Sequence, residues 1–189
     1  MASAMQAARA QLETATNNLA NVSSGGYRRA TAQVRLTARG LVATQTRSFE
    51  QGALRHTGRA WDLALVGPGA FRVGGEATRN GAFVTGRDGF LTDDRGRRVL
   101  GTRGPIAVDA QTTIDADGSV RAHGRSVNRL ALPPGTRVQT GALEASNVDA
   151  IGETLEILNA QRAFETAQKV LVAIDDTRQK AVNDVVRLK

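Results

Sequence analysis

Residues 146–189 read SNVDAIGETLEILNAQRAFETAQKVLVAIDDTRQKAVNDVVRLK, and this stretch decides the fold. Ile157, Ala160, Phe164, Ala167, Leu171, Ile174, Arg178, Ala181, Val185 and Leu188 recur at alternating intervals of three and four, the a/d seam of a heptad, broken only by Arg178. Glycine is absent from 153–189. Ser146-Asn147-Val148-Asp149 is a start signal: Ser146 is predicted to cap the first-turn N–H groups, and Asp149 suits the positive end of the helix. The spacing predicts a long helix from about Val148 to near the C-terminus.

The N-terminus repeats the pattern on a smaller scale. Met5, Ala8, Leu12, Ala15, Leu19 and Val22 keep the same alternation, and no glycine occurs before Gly25. Helices with such thin stripes are marginal alone in water, whereas burying a large apolar side chain gains roughly 1.5–3 kcal/mol. Each stripe therefore needs a partner helix: the other end of the same chain, a neighbouring copy, or both. The small seam residues Ala8, Ala15, Ala160, Ala167 and Ala181 favour close packing without choosing between these.

Between the two ends the punctuation changes. Sixteen of the twenty glycines and all four prolines lie between Gly52 and Gly141, which separates helical ends from a turn-rich middle. Short β-prone runs, such as Asp62-Leu63-Ala64-Leu65-Val66 and Ala82-Phe83-Val84-Thr85, alternate with turn signals that include Asp88-Gly89 and Asp117-Gly118. Aspartate-glycine supplies the positive φ that tight hairpins require. The expected fold class is α+β: N- and C-terminal heptad helices forming an antiparallel coiled-coil-like arm, with a central antiparallel β domain. Its divisions are an N-terminal assembly helix and signature at 1–26, a linker at 27–51, the β domain at 52–141 and a C-terminal assembly helix at 142–189.

Composition narrows function by exclusion. The absence of cysteine removes disulfides, cysteine nucleophiles and thiolate metal sites, and His56 and His123 alone cannot build a multi-histidine centre. No apolar run reaches 18 residues, and no basic segment, apolar stretch and cleavage site open the chain, so neither a membrane span nor a cleaved signal peptide is expected. Gly67-Pro68-Gly69 starts like a dinucleotide fingerprint, but Arg72 stands where its third glycine belongs. No Gly-Lys-Ser/Thr loop and no G-x-S-x-G elbow occur. Asp93-Asp94, Asp115 and Asp117 sit beside turn glycines and arginines, which fits turn chemistry better than cation binding. No catalytic residue, cofactor or metal site is assigned.

The net charge of +7 raises a nucleic-acid reading. The excess is spread, however: six Arg against two acids over 1–51, thirteen Arg against eight acids over 52–141, and six basic against eight acidic residues over 142–189. With one Trp, one Tyr and five Phe the chain is short of stacking surface for single strands. A basic nucleic-acid-binding module using the Arg-rich middle remains the alternative function. Trp61 adjoins a strand and is expected to pack.

Several blocks together resemble the bacterial flagellar rod and hook protein family. Asn17-Asn18-Leu19-Ala20-Asn21-Val22 followed by Ser23-Ser24-Gly25-Gly26-Tyr27-Arg28 is similar to that family's N-terminal signature. Trp61-Asp62-Leu63-Ala64-Leu65-Val66 with its glycine turn, Thr78-Arg79-Asn80-Gly81-Ala82-Phe83 and Asp88-Gly89-Phe90-Leu91 resemble its middle blocks. Gly141-Ala142-Leu143-Glu144-Ala145-Ser146-Asn147-Val148-Asp149 and Ala160-Gln161-Arg162-Ala163-Phe164-Glu165 resemble its C-terminal signature. Trp61 replaces the usual leucine, Ala70 the first aromatic of a pair, and Ala77 a tyrosine. The short stretch between Gly26 and Gly52 is closer to a proximal than to a distal rod protein, and further still from a hook protein.

The resemblance implies a structural subunit of the basal-body rod, exported without a cleaved signal peptide through the flagellar type III apparatus. It implies terminal helices that polymerise with copies of the chain and with other rod or hook subunits into a torque-bearing axial shaft. It implies no substrate or cofactor. The assembly interface is expected at Leu12, Asn17, Asn18, Leu19, Asn21, Val22, Gly26, Ser146, Asn147, Val148, Ile157, Arg162, Phe164, Leu171, Ile174 and Val185.

Overall fold

The computed structural model describes residues 2–37 and 40–187, so Leu188, the last residue of the expected seam, lies outside the described residues. The chain divides into two compact units. The first comprises Met1–Ala20, Arg29–Ser48 and Val148–Lys189, and the second Asn21–Arg28 and Phe49–Asn147.

Two helices and one hairpin build the first unit. Helix α1 spans Ala2–Ala20 and helix α2 spans Ala150–Arg187, 19 and 38 residues. At 1.5 Å per residue these are about 28 and 57 Å long. They pack together, and the last turn of α1 meets the first turn of α2, so they run in opposite directions. The expected cap of α2 shifts by three residues. Asp149, not Ser146, receives the Ile151 N–H on Oδ1 at 3.1 Å, because the first helical residue is Ala150 and the capping side chain must stand immediately before it.

Strands β1 (Ala30–Thr37) and β2 (Gly40–Arg47) form an antiparallel hairpin that runs from Ala30↔Arg47 to Thr37↔Gly40. This hairpin fills much of the stretch expected as a linker over 27–51. Its first strand alternates: Ala30 is buried and Ala32 and Val34 half-buried, while Thr31, Gln33 and Arg35 are exposed. Both strands pack on α1, so α1 has two neighbours and a broader buried face than a heptad seam provides. That face comprises Ala7, Ala8, Thr14, Ala15 and Asn18, with Leu12 and Leu19 half-buried at its margin. On α2, Glu153 and Ala160 are buried, and Ile157, Phe164 and Ala167 are half-buried. From residue 168 to 180 every side chain is exposed.

The second unit is a β domain of thirteen short strands among the described residues. In chain order they are β3 (Leu54–His56), β4 (Leu63–Val66), β5 (Phe71–Val73), β6 (Glu76–Thr78), β7 (Val84–Thr85), β8 (Leu91–Thr92) and β9 (Val99–Gly101). Then follow β10 (Gly104–Pro105), β11 (Thr112–Ile114), β12 (Ser119–Ala122), β13 (Arg125–Arg129), β14 (Arg137–Thr140) and β15 (Ala142–Glu144). Their order is β10-β9-β5-β6 in one sheet, β11-β12-β13 in another, and β14-β4, β15-β3 and β7-β8 as pairs, all antiparallel. The first two strands thus pair with the last two, which closes the domain on itself.

β4 does not alternate. Leu63, Ala64 and Leu65 are all fully buried, as expected of a strand covered on both faces. Around it lie Phe71, Val73, Phe83, Leu91, Val99, Ile106, Val120 and Leu130, with Trp61 packed at the margin. Phe71 and Phe83 meet edge to face at 5.1 Å. Gly81 is required here, since a Cβ would lie 1.6 Å from the Leu63 carbonyl oxygen.

The turn aspartates fold back onto their own turns. Asp93 accepts the Arg95 and Arg97 N–H groups on Oδ1 at 3.0 and 2.8 Å, and Asp117 accepts the Ser119 N–H at 2.9 Å. The Arg98 side chain holds the Asp88 carboxyl below the usual range, as do the Thr112 hydroxyl for Asp109 and the Ser119 N–H for Asp117. For Asp93, burial pushes upward, but bonds from Arg97 and Arg95 outweigh it and the net shift is downward.

A carboxyl whose folded pKa is depressed stabilises the fold above its unfolded pKa of about 3.9 and loses that contribution as pH falls through the folded value. Thermal unfolding of the chain is therefore expected to have a level midpoint from about pH 7 to 5 and a falling one below about pH 4. Replacing Asp88, Asp93, Asp109 and Asp117 by Asn should flatten that acid limb. An acid limb unchanged in the quadruple variant contradicts the assignment.

Candidate functional site

Two polar clusters tie together the residues nearest the chain's two ends, one cluster in each unit. In the first unit Asn18, 1% exposed, pairs with the backbone of Ala30 as a peptide would. Its Nδ2 donates to the Ala30 carbonyl at 2.7 Å, and its Oδ1 accepts the Ala30 N–H at 2.9 Å. The same Nδ2 donates to Glu153 Oε2 at 3.0 Å, and Arg29 Nε donates to Glu153 Oε1. One amide therefore joins the last turn of α1, the first residue of β1 and the first turn of α2. Glu153 is itself 1% exposed and has its charge balanced by Arg29. Register explains why a carboxylate stands there: Glu153 is four residues before Ile157, on the seam itself.

The second cluster centres on Arg79 and Glu144, a salt bridge of 2.7 Å with both side chains almost wholly buried. Arg79 also donates to the carbonyls of Leu65, Gly67 and Gly69 at 3.0, 2.8 and 2.9 Å, satisfying the backbone of the β4–β5 turn. The Glu144 carbonyl accepts the Gly26 N–H at 2.8 Å, and Asn147 donates its N–H to the Tyr27 carbonyl at 3.3 Å. Asn147 Nδ2 reaches the Glu50 carbonyl at 2.9 Å. Gly26 has φ of 66°, and a Cβ there would come within 2.3 Å of the Arg79 carbonyl carbon, so only glycine lets this loop lie so close. Beside them the Arg28 guanidinium is held below its ordinary value by burial and by the Arg79 charge, with Glu144 opposing. Its Nε is buried without a hydrogen bond among the described residues.

The sixteen residues expected at an interface fall into these two units. Asn21, Val22, Gly26, Ser146 and Asn147 lie in the second, where Val22 and Ser146 line one cavity of about 380 Å³ and Asn21 accepts Ser24 Oγ at 3.1 Å. The other eleven lie in the first. Asn18 is buried, Leu12, Leu19, Val148, Ile157 and Phe164 are half-buried, and Asn17 and Arg162 are exposed. Leu171 and Ile174 are 37% and 36% exposed. Val185 lies on α2, and its side chain is outside the described set. Sequence reasoning passed over Arg29, Arg79, Glu144 and Glu153 as partners. A charged residue on an apolar seam was the available signal for Glu153.

Other chemistry gains no support. Arg59, Arg97, Arg98, Arg121 and Arg129 are engaged by Asp62, Asp93, Asp88, Asp115 and Asp117, so much of the basic middle is neutralised internally and nothing favours a nucleic-acid face. Among the described residues no group of acidic or histidine side chains could hold a metal, and no helix is long and apolar enough to cross a membrane.

Known proteins resemble this chain along nearly its whole length. Residues 1–28 match the family described as flagella basal body rod protein, and residues 139–184 match the flagellar basal body rod FlgEFG protein C-terminal family. The flagellar basal-body rod protein FlgF of Escherichia coli is 31% identical, with 96% of this chain and 94% of the relative covered. FlgF of Caulobacter vibrioides is 29% identical over 95% and 92%, and the rod protein FlgG of Bacillus subtilis 26% identical over 96% of each chain. The Escherichia coli alignment runs over 238 positions against 189 residues, so that relative carries insertions that this chain lacks.

Asn18→Ala should strand the Ala30 backbone groups and one Glu153 oxygen, lowering stability by about 3 kcal/mol in denaturant unfolding followed by circular dichroism. Asn18→Leu with Glu153→Leu removes the stranded carboxylate but leaves the Ala30 N–H and C=O unpaired, so it should recover only part of that loss. A larger loss in the double variant argues against the clamp. Arg79→Ala leaves Glu144 buried without its counter-charge and should cost about 3–5 kcal/mol in the same assay. A loss under 1 kcal/mol would show that the salt bridge is not a closing contact.

Proposed function

Because the chain belongs to the flagellar basal-body rod protein family, we propose that it is a structural subunit of the basal-body rod that polymerises through its terminal helices into the axial shaft. The observation that carries this reading is the mismatch of the two helices. Helix α2 outruns α1 by 19 residues and presents Val170, Leu171, Val172 and Ile174, each 36% or more exposed. A seam that continues beyond its partner within the chain calls for a helix from a neighbouring subunit. The paired part of the two helices then acts as an antiparallel coiled-coil-like arm, and the residues above other than Asn18, which is buried within one copy, as the assembly interface.

The role is mechanical. A head-to-tail contact that does not close into a ring generates a helical stack of subunits, and interlocked seams carry torque along it. No substrate, cofactor or catalytic step enters. The proximal rod is the preferred place, supported by the short segment between Gly26 and Gly52, which holds only the β1–β2 hairpin and its flanks, and by the FlgF relatives. The partners are copies of the chain and other rod or hook subunits. Delivery is by the flagellar export apparatus, which suits a chain with a terminal helix left half uncovered.

Leu171→Asp with Ile174→Asp tests this reading without disturbing the fold, because both side chains are already solvent-exposed. Thermal unfolding of the purified chain should stay unchanged, while swimming and recovery of the subunit in isolated basal bodies are lost. Truncation after Ala150 should give the same loss. Normal swimming by cells that carry only the double variant would end the proposal.

A further inference from the structure

Phe49 is 91% exposed, the highest value among the exposed large hydrophobic side chains described. It is not on a loose tail. The Glu50 carbonyl that follows accepts Asn147 Nδ2 at 2.9 Å, and Gln51 donates Nε2 to the Leu65 carbonyl at 2.8 Å and accepts the Gly67 N–H at 3.4 Å. A benzyl group is thus held out on a backbone pinned to the β domain, next to the exposed carboxylate of Glu50.

The same unit contains an open cavity of about 760 Å³ walled by Leu132, Pro133 and Pro134 and rimmed by Arg129 and Arg137. Pro133 and Pro134 are exposed, and Pro133 is fixed from beneath, since a Cβ on Gly69 would lie 2.5 Å from its Cδ. Proline faces and aromatic rings pack well together, the chemistry by which aromatic grooves grip proline-rich chains. The two rim arginines differ. Arg129 is engaged by Asp117 at 3.4 Å, whereas Arg137 is exposed and makes no ion pair among the described residues.

We infer that Phe49 of one copy inserts between Leu132 and the Pro133-Pro134 wall of the next copy, with Glu50 facing Arg137 across the rim. Knob and pocket are different surfaces of one chain, so the contact is head-to-tail and propagates without closing. Charge complementarity selects a second copy, since the acidic neighbour of the knob meets the cationic side of the pocket. The inference rests on the reading as a rod subunit and deepens it by assigning one lateral contact to the β domain.

The chain has no cysteine, which permits a clean test. Phe49→Cys in one copy is co-expressed with Pro134→Cys, or with Thr102→Cys, which also lines the cavity, in a second copy. Basal bodies are isolated and treated with a short thiol-to-thiol cross-linker. The expected product is a covalent dimer of twice 20.0 kDa from the mixture and not from either variant alone. Glu50→Arg in the Phe49→Cys copy should lower its yield by about tenfold, and Arg137→Glu in the other copy should restore it. Basal bodies that contain the subunit but give no such dimer, or that link Phe49→Cys to a different protein, overturn this contact and leave the rod reading standing. Absence of the unaltered chain from basal bodies overturns the rod reading itself.

Discussion

Everything in the first unit depends on one primary amide. Asn18 joins α1, β1 and α2 through hydrogen bonds, with both amide hydrogens and its oxygen engaged. A leucine at this buried position of α1 would bury more apolar surface but would leave the helices free to slide against each other. A buried amide that must meet both Ala30 and Glu153 admits one register, the use for which buried polar residues are best attested. Arg29 completes the arrangement by keeping Glu153 from being an isolated buried charge.

The second unit answers the same problem with a different residue. Its first two strands must find its last two across roughly the whole domain, and such non-local pairing costs loop-closure entropy before contacts repay it. Arg79 and Glu144 sit where those strands meet. Arg79 gathers three carbonyls of the β4–β5 turn, and Glu144 receives the Gly26 N–H on its own carbonyl, so one ion pair fixes the turn, the closing strand and the loop from the N-terminal signature. The glycines matter here for proximity: at Gly26 and Gly81 a methyl group would occupy space already filled by backbone.

Much of this was legible from residue pattern alone, for reasons that also explain the misses. The heptad in 157–174 and the Asp-Gly turns at 88–89 and 117–118 are strong local signals, and helix α2 and the hairpin β11–β12 appear where they point. The β1–β2 hairpin was missed although Ala30, Ala32, Val34 and Leu36 alternate with polar residues, because small side chains weaken the contrast and no Asn-Gly or Asp-Gly marks the turn. The cap at Ser146 lost to Asp149 because boundaries are set by which residue first turns helical, and both are good capping types. The face of α1 came out rotated toward Ala7 and Thr14 because a heptad reading assumes a single neighbour, and the hairpin is a second. The ion pairs were out of reach, since partners 65 and 124 residues apart, as in Arg79–Glu144 and Arg29–Glu153, are joined by topology and not by spacing.

The uneven helices set a condition on when the chain can be fully ordered. Near Asn18 and Glu153 the contacts are buried and polar groups are satisfied, so that end of α2 is stable within one copy. From residue 168 to 180 the side chains of the helix are exposed, and helical stability in proteins comes mostly from packing an apolar face and not from propensity. Val170, Val172 and Ile174 weaken it further, because β-branched residues lose rotamer freedom in a helix and regain the cost only by burial. Stability is therefore graded along α2, highest at the clamp and falling toward its distal half. Such a gradient keeps the register of the pair fixed in the single copy while leaving the far seam dependent on a neighbour. Ordering and association then become the same event.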